Sequence, residues 1–132
     1  MTLVDTSVWS MFLRRDHSTG AHVEKLKSII SNGEPVYATG FILQELLQGF
    51  HGPKSKDKLI EFFSAVPLVV PNRQDHIDAS ELRNNARRMG IQIGTIDALI
   101  AQLSIRHGLT LLTSDDDFVH MKKLSPIRVW HP

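Results

Sequence analysis

The chain has 132 residues, 42% of them hydrophobic and 22% charged, the make-up of one globular domain over residues 1–132 that buries about two-thirds of the surface its unfolded form exposes. It contains no cysteine, which excludes disulfides, zinc–thiolate sites and thiol catalysis, and no apolar run nears the roughly 20 residues of a membrane span. The net charge of +1 leaves nucleic-acid binding to local basic sets, of which there are two: Lys54, Lys56 and Lys58, and Arg83, Arg87 and Arg88.

In chain order, Thr2 to Asp5 reads as a strand and is followed by a helix to about Arg14, capped by Thr6 or Ser7. A second helix spans Ala21 to Ser31 and leaves through Asn32-Gly33 in a left-handed exit. Pro35 to Ala38 forms a strand, and Thr39 caps a helix over Phe41 to Gln48 that Gly49 and Gly52-Pro53 break. Lys54 to Ala65 is helical, Pro67 to Val70 a β-branched strand, and Asp75 to Met89 a helix that Gly90 ends. Thr95 caps a helix through His107, Gly108 closes it, and Thr110 to Thr113 is the next strand. A short helix over Asp116 to Lys123 and a strand over Ile127 to Trp130 complete the chain. Strands separated by helices imply parallel pairing with helices on both faces. A strand that opens at Thr2 leaves no room for a signal peptide, so the expected location is the cytoplasm.

Ligands of such sheets bind at the carboxyl ends of the strands, and acidic residues recur there. Asp5 follows Leu3-Val4, and Asp115 follows Leu111-Leu112-Thr113. Each could simply cap the helix behind it, although Thr6, Ser7 and Ser114 offer hydroxyl caps as well. Asp97 falls on the side of its helix opposite Thr95, Gln102 and Arg106, beside Ile100, Ala101 and Ser104. A carboxylate among apolar neighbours is paired internally or binds a metal; one in a first helical turn also complements the helix dipole. Glu45 sits at the seam between Phe41 and Ile42, where a glutamate is ordinarily solvated, but its helix leaves the end of Val36-Tyr37-Ala38 and should carry it to the same edge as Asp5. Asp115, Asp116 and Asp117 are adjacent like charges that call for a cation or basic partner. Asp115 is best placed to reach the site, Asp117 could hold a second metal or a water, and Asp116 faces solvent.

Other chemistries have little support. The seven histidines show no zinc-ligand spacing, Ser7 has no legible His–acid partners, and neither a Walker A loop nor a dinucleotide fingerprint is present. Four carboxylates drawn to one edge would instead suit hard divalent cations, which take oxygen ligands.

Four segments, Leu3-Val4-Asp5-Thr6-Ser7-Val8-Trp9, the Glu45 helix, Gly94-Thr95-Ile96-Asp97-Ala98-Leu99-Ile100-Ala101 and Leu111-Leu112-Thr113-Ser114-Asp115-Asp116-Asp117-Phe118, give the chain its resemblance to the PIN-domain ribonucleases, and most of all to the toxin component of VapBC toxin–antitoxin pairs. The resemblance implies a three-layer α/β/α sandwich with a central, mostly parallel sheet, and an endoribonuclease dependent on Mg²⁺ or Mn²⁺. It implies Asp5, Glu45, Asp97 and Asp115 as catalytic, metal-binding acids, Asp117 as a fifth metal-binding acid, and Ser7 and Thr113 as hydroxyls hydrogen-bonding the cluster. Which of Asp115, Asp116 and Asp117 completes the site stays open. It further implies an RNA substrate, a cognate VapB-type antitoxin whose basic segment enters the acidic site, and a homodimer within a toxin–antitoxin hetero-oligomer.

Leu43, Leu46, Leu47, Phe62 and Phe63 are candidates for core or for a partner-facing surface, and Trp9 and Trp130 for packing or for stacking on bases. Two other readings compete. A catalytically silent PIN-like module would bind partners without turnover. A receiver-type phosphoacceptor would form a labile acyl phosphate with acetyl phosphate and Mg²⁺, but here Asp5 is followed by Thr6, and Lys122 and Lys123 lie well past Asp115.

Overall fold

The computed structural model describes residues 1–14 and 20–132. Among them the chain runs β1 (Thr2–Val4), α1 (Thr6–Leu13), α2 (Ala21–Ser31), β2 (Val36–Thr39), α3 (Gly40–Gly49), α4 (Pro53–Phe63), β3 (Leu68–Val69), α5 (Arg73–Arg88), α6 (Thr95–Arg106), β4 (Thr110–Leu112), α7 (Asp116–His120) and β5 (Arg128–Val129), with a 3₁₀ turn at Met121–Lys123 after α7. The strands form one sheet in the order β3-β2-β1-β4-β5, and every pairing is parallel. Helical connections demand this, since a parallel neighbour can be reached only by crossing over a face of the sheet. Right-handed crossovers place α1 to α4 on one face, because β1, β2 and β3 step one way, and α5 to α7 on the other, because the chain then returns past β1 to β4 and β5.

The central strands are therefore covered on both faces, and they carry apolar residues at successive positions rather than alternately. Leu3, Val4, Leu111 and Leu112 are wholly buried, as a doubly covered parallel sheet requires. On the α1 face the core is aromatic. Trp9 is completely buried and meets Phe12, Phe62 and Phe63 edge to face, at centroid separations of 6.0, 5.8 and 4.9 Å. Its indole N–H has no acceptor among the described residues. Trp9 is thus a packing residue, as are Leu46 and Phe63, whereas Phe62 is 39% exposed and Leu43 and Leu47 are half-buried. Trp130 lies edge to face with His22 at 5.3 Å.

Helix ends follow local chemistry, and some fall elsewhere than expected. α2 leaves through Gly33 at φ 68°, with the Glu34 amide donating to the Ile29 carbonyl at 3.0 Å, a left-handed exit that a side chain would strain. Thr39 caps α3 by accepting from the Ile42 amide at 3.1 Å. α5 starts at Arg73 rather than Asp75, because Asn72 and Asp75 form a reciprocal capping box: the Asp75 amide donates to Asn72 Oδ1 and the Asn72 amide to Asp75 Oδ2, both at 2.8 Å. Thr95 does not cap α6; Gly94 occupies the cap position and Thr95 is the first helical residue. Neither Thr6 nor Ser7 caps α1, whose cap position is Asp5.

Arg106 of α6 forks onto the wholly buried Asp75 of α5, Nε to Oδ1 at 2.6 Å and Nη2 to Oδ2 at 2.8 Å. Burial by itself would raise the Asp75 carboxyl, but the Arg106 and Asn72 hydrogen bonds and the positive charges of Arg106 and His107 outweigh it and hold the group below its ordinary value.

Candidate active site

The sheet register sets the site. Val4 pairs with Leu112, so the next residues, Asp5 and Thr113, stand level where β1 and β4 end, and the Asp5 amide extends the ladder to the Leu112 carbonyl at 2.9 Å. Between β1 and β4 the direction of successive crossovers reverses, which opens a crevice at the carboxyl edge of the sheet.

Asp5 lies in that crevice, 8% exposed. Although it occupies the cap position of α1, its side chain makes no capping bond. Its Oδ2 accepts instead from Ser7 Oγ at 3.0 Å and Thr113 Oγ1 at 2.9 Å. Each hydroxyl is held from behind, since the Ser114 amide donates to Ser7 Oγ at 3.1 Å and the Asp115 amide to Thr113 Oγ1 at 3.0 Å. A hydroxyl has one proton, and with an amide on its lone pair that proton is aimed at Asp5. Both bonds fall on Oδ2, and none of the described residues donates to Oδ1.

The other acids approach from separate elements. Glu45, on α3, is exposed but reaches the β1 end, where Thr6 Oγ1 donates to its Oε1 at 3.4 Å. Partial burial of its carboxyl and then the charge of Asp5 raise its pKa, against the lowering effect of the Thr6 bond. Asp115 is half-buried and does cap α7, accepting from the Asp117 amide at 2.9 Å. Capping accounts for its Oδ1 while leaving it within electrostatic reach of the cluster. Asp116 and Asp117 are both exposed.

Asp97 registers all of them. It is half-buried in the first turn of α6, and its pKa is pushed up to about 6, by burial first and then by the charges of Asp5, Asp115, Glu45 and Asp117. Among the described residues no basic side chain pairs with it: the described ion pairs are Lys27–Glu24 and Arg106–Asp75, both outside the cluster. Among the described residues no three Asp, Glu or His close around one point tightly enough to form a ready-made cage. The acids stand at Coulombic range of one another, and Mg²⁺, which keeps several of its own waters, needs only one or two carboxylates in direct contact. An unpaired, all-oxygen, multiply acidic set with no histidine is donor chemistry suited to such a cation.

Beyond these acids, sequence reasoning missed the Asp75–Arg106 lock, although the Asn72-x-x-Asp75 spacing signalled half of it. It also missed the structural part played by Arg83, whose Nε donates to the Ile93 carbonyl at 3.0 Å and pins the turn between α5 and α6.

A family model for the PIN domain matches residues 2–124. Ribonuclease VapC11 of Mycobacterium tuberculosis is 32% identical over 120 residues, covering 89% of each chain. Among solved structures, FitAcB from Neisseria gonorrhoeae superposes with a TM-score of 0.74 at 24% identity, over 100% of this chain and 98% of that one. VapBC2 from Rickettsia felis, bound to a DNA fragment from its promoter, gives 0.73 at 20% identity, over 98% of both chains. The chain belongs to the PIN-domain family, among the VapC ribonucleases. The sandwich expected from the sequence is present, with a sheet that is parallel throughout, and no described helix is long and apolar enough to cross a membrane.

Proposed function

We propose that the chain, as a single PIN domain over residues 1–132, is a divalent-cation-dependent endoribonuclease and the toxin of a toxin–antitoxin pair. One observation carries the reading: Asp97, with its pKa pushed up to about 6, feels the charges of Asp5, Glu45, Asp115 and Asp117 at the carboxyl edge of the sheet, with no described basic partner. The relative named ribonuclease, 32% identical, supports RNA as substrate, and the neighbour solved as a VapBC complex supports a VapB-type antitoxin. A homodimer inside that hetero-oligomer, acting in the cytoplasm, fits the same reading.

Asp5 and Asp97 are the principal anchors for Mg²⁺ or Mn²⁺, with Asp115 and Glu45 completing the set and Asp117 at its rim. A cation held there supplies stabilisation of the negative charge that develops on the attacking and leaving oxygens of a phosphodiester. Ser7 and Thr113 fix the Asp5 carboxylate, leaving Oδ1 as the oxygen free to point outward, and the α7 amide fixes Asp115. Five acids with no bound cation repel a phosphodiester, so the side chains themselves make RNA engagement conditional on the ion.

The test is incubation of wild type and Asp97→Asn with total cellular RNA in Mg²⁺, Mn²⁺ or EDTA, sequencing the new ends. Discrete cuts lost with EDTA, and reduced at least about a hundredfold in Asp97→Asn, are expected. Retained cleavage in the variant would remove Asp97 from the machinery, and no cutting under any condition would favour a silent binding module.

A further inference from the structure

The acidic crevice has a neighbouring concavity at this edge of the sheet. A cleft of about 650 Å³ opens next to the site, lined by Arg83 and Arg87 of α5, by the turn from Gly90 to Gly94, and by Asp117 of α7. Two of these residues join the cleft to the carboxylates. Asp117 is one of the acids whose charge Asp97 feels. Gly94 adjoins the cluster, since a methyl side chain at this position would lie 4.0 Å from Asp97 Oδ2. The cleft therefore begins where the acids end.

Its chemistry is the opposite of the crevice's. Arg83 and Arg87 are one turn apart on one face of α5, and Asp117 is the only acid among the lining residues described. Arg83 is half-buried and oriented by its bond to the Ile93 carbonyl at 3.0 Å, which occupies Nε and leaves both terminal nitrogens of the guanidinium for a ligand. Arg87 is exposed and has no side-chain hydrogen bond or ion pair among the described contacts. Arg88, by contrast, is turned to Asn85 Oδ1 at 2.6 Å. Two guanidiniums, one held and one free, at the mouth of a cleft are suited to phosphate oxygens, which arginine meets in a planar fork.

We propose that Arg83 and Arg87 form a phosphate subsite for the RNA strand flanking the scissile bond, so that the chain grips its substrate beside the carboxylates rather than on them. This rests on the ribonuclease reading above. It resolves an electrostatic conflict in that reading: an acidic crevice repels a polyanion, whereas an adjoining basic cleft holds the strand by its neighbouring phosphate. Such a grip is independent of base identity, and it makes binding depend on salt. Arg87 is a positioning residue, remote from the reacting atoms.

The experiment pairs binding with turnover. Fluorescence anisotropy of a labelled single-stranded RNA is measured on the Asp5→Asn background across a salt series, with and without Arg87→Ala. Cleavage kinetics are measured for the same Arg87 substitution in the otherwise wild-type protein. Lys27→Ala, a charge-matched change at an exposed position of α2, serves as the control, and thermal melts confirm folding. Arg87→Ala should weaken binding several-fold and raise KM with kcat little changed. It should also lower the slope of log affinity against log salt by roughly 0.7, the effect of leaving one phosphate of a single strand without its arginine. Arg87→Lys should recover part of this. Arg83→Ala should show the same slope change together with a lower Tm, because it also frees the 90–94 turn. RNA cleavage by wild type, with Arg87→Ala unchanged in slope and KM, would overturn the subsite and leave the ribonuclease reading standing. Loss of binding to a labelled poly-aspartate peptide by Arg87→Ala, titrated in the same anisotropy assay, with RNA binding intact would also overturn it and assign the cleft to an acidic protein segment. Failure of wild type to bind or cut any RNA would overturn both.

Discussion

Asp97 is the residue whose chemistry is most conditional on its neighbours. Its pKa in the folded chain, about 6, lies above the ordinary value of 3.8, so between the two the native state holds a proton that the unfolded chain has released. The stability this contributes is complete below the ordinary value and is lost as pH rises through the folded one. Melts without divalent cation from about pH 4 to about pH 7.5 should therefore show wild-type Tm falling with pH relative to Asp97→Asn, which has nothing to titrate. Added Mg²⁺ at the upper pH should raise wild-type Tm more than that of the variant, because an ion that binds only the native cluster stabilises it by mass action. Equal responses would separate Asp97 from the cation. Thr113 offers a second handle. Its buried hydroxyl serves the Asp5 carboxylate and the Asp115 amide at once, so Thr113→Val, near in shape, should cost about 1–3 kcal/mol in a denaturant titration. It should also slow cleavage by loosening Asp5. At this scale Asp5, Asp97 and Asp115 stood out in the sequence as candidates, because a charge beside a buried strand or on an apolar helix side has few innocent explanations. Glu45 was legible mainly through family resemblance: its exposed seam position is one that any solvated glutamate could occupy.

At the scale of elements, α5 and α6 are joined by a side-chain lock whose parts also begin a helix. Asp75 accepts a fork from Arg106 while closing the capping box with Asn72. Removing Asp75 breaks both, whereas removing Asn72 breaks only the cap. Asp75→Ala should therefore destabilise by about 2–4 kcal/mol, and Asn72→Ala by about 1 kcal/mol, in urea unfolding at neutral pH. Equal destabilisation by the two would show the lock to be idle. The sign of the Asp75 titration is opposite to that of Asp97. Its carboxyl is held below the ordinary value, so its contribution is present above that value and fades as pH falls through the folded one. Element positions were readable from glycines, β-branched runs and helical spacing, with errors of one to three residues at element ends. Thr95 was read as a cap because threonine is common there, but the chain turns into the helix one residue earlier, at Gly94. The Asp75–Arg106 pair, 31 residues apart, left no periodic trace because it depends on how two helices cross.

Across the whole molecule, alternation of strand and helix specified a parallel sandwich, but it could not specify the order β3-β2-β1-β4-β5. That order decides the site. It puts β4 against β1, which places Thr113 beside Asp5 and brings Asp115 into range of Asp97. With β5 and β4 exchanged, the same acids would sit on the same edge with a strand between them.

The pairing of the first strand with the fourth also has a consequence for synthesis. A chain emerging from the ribosome has three of the four acids proposed for the site by Asp97, yet one edge of Thr2–Val4 stays open until Thr110–Leu112 arrives to pair with it. Only then does Asp5 gain the Thr113 hydroxyl and the company of Asp115. Until translation is nearly finished the growing polypeptide lacks the strand that completes the surroundings of Asp5.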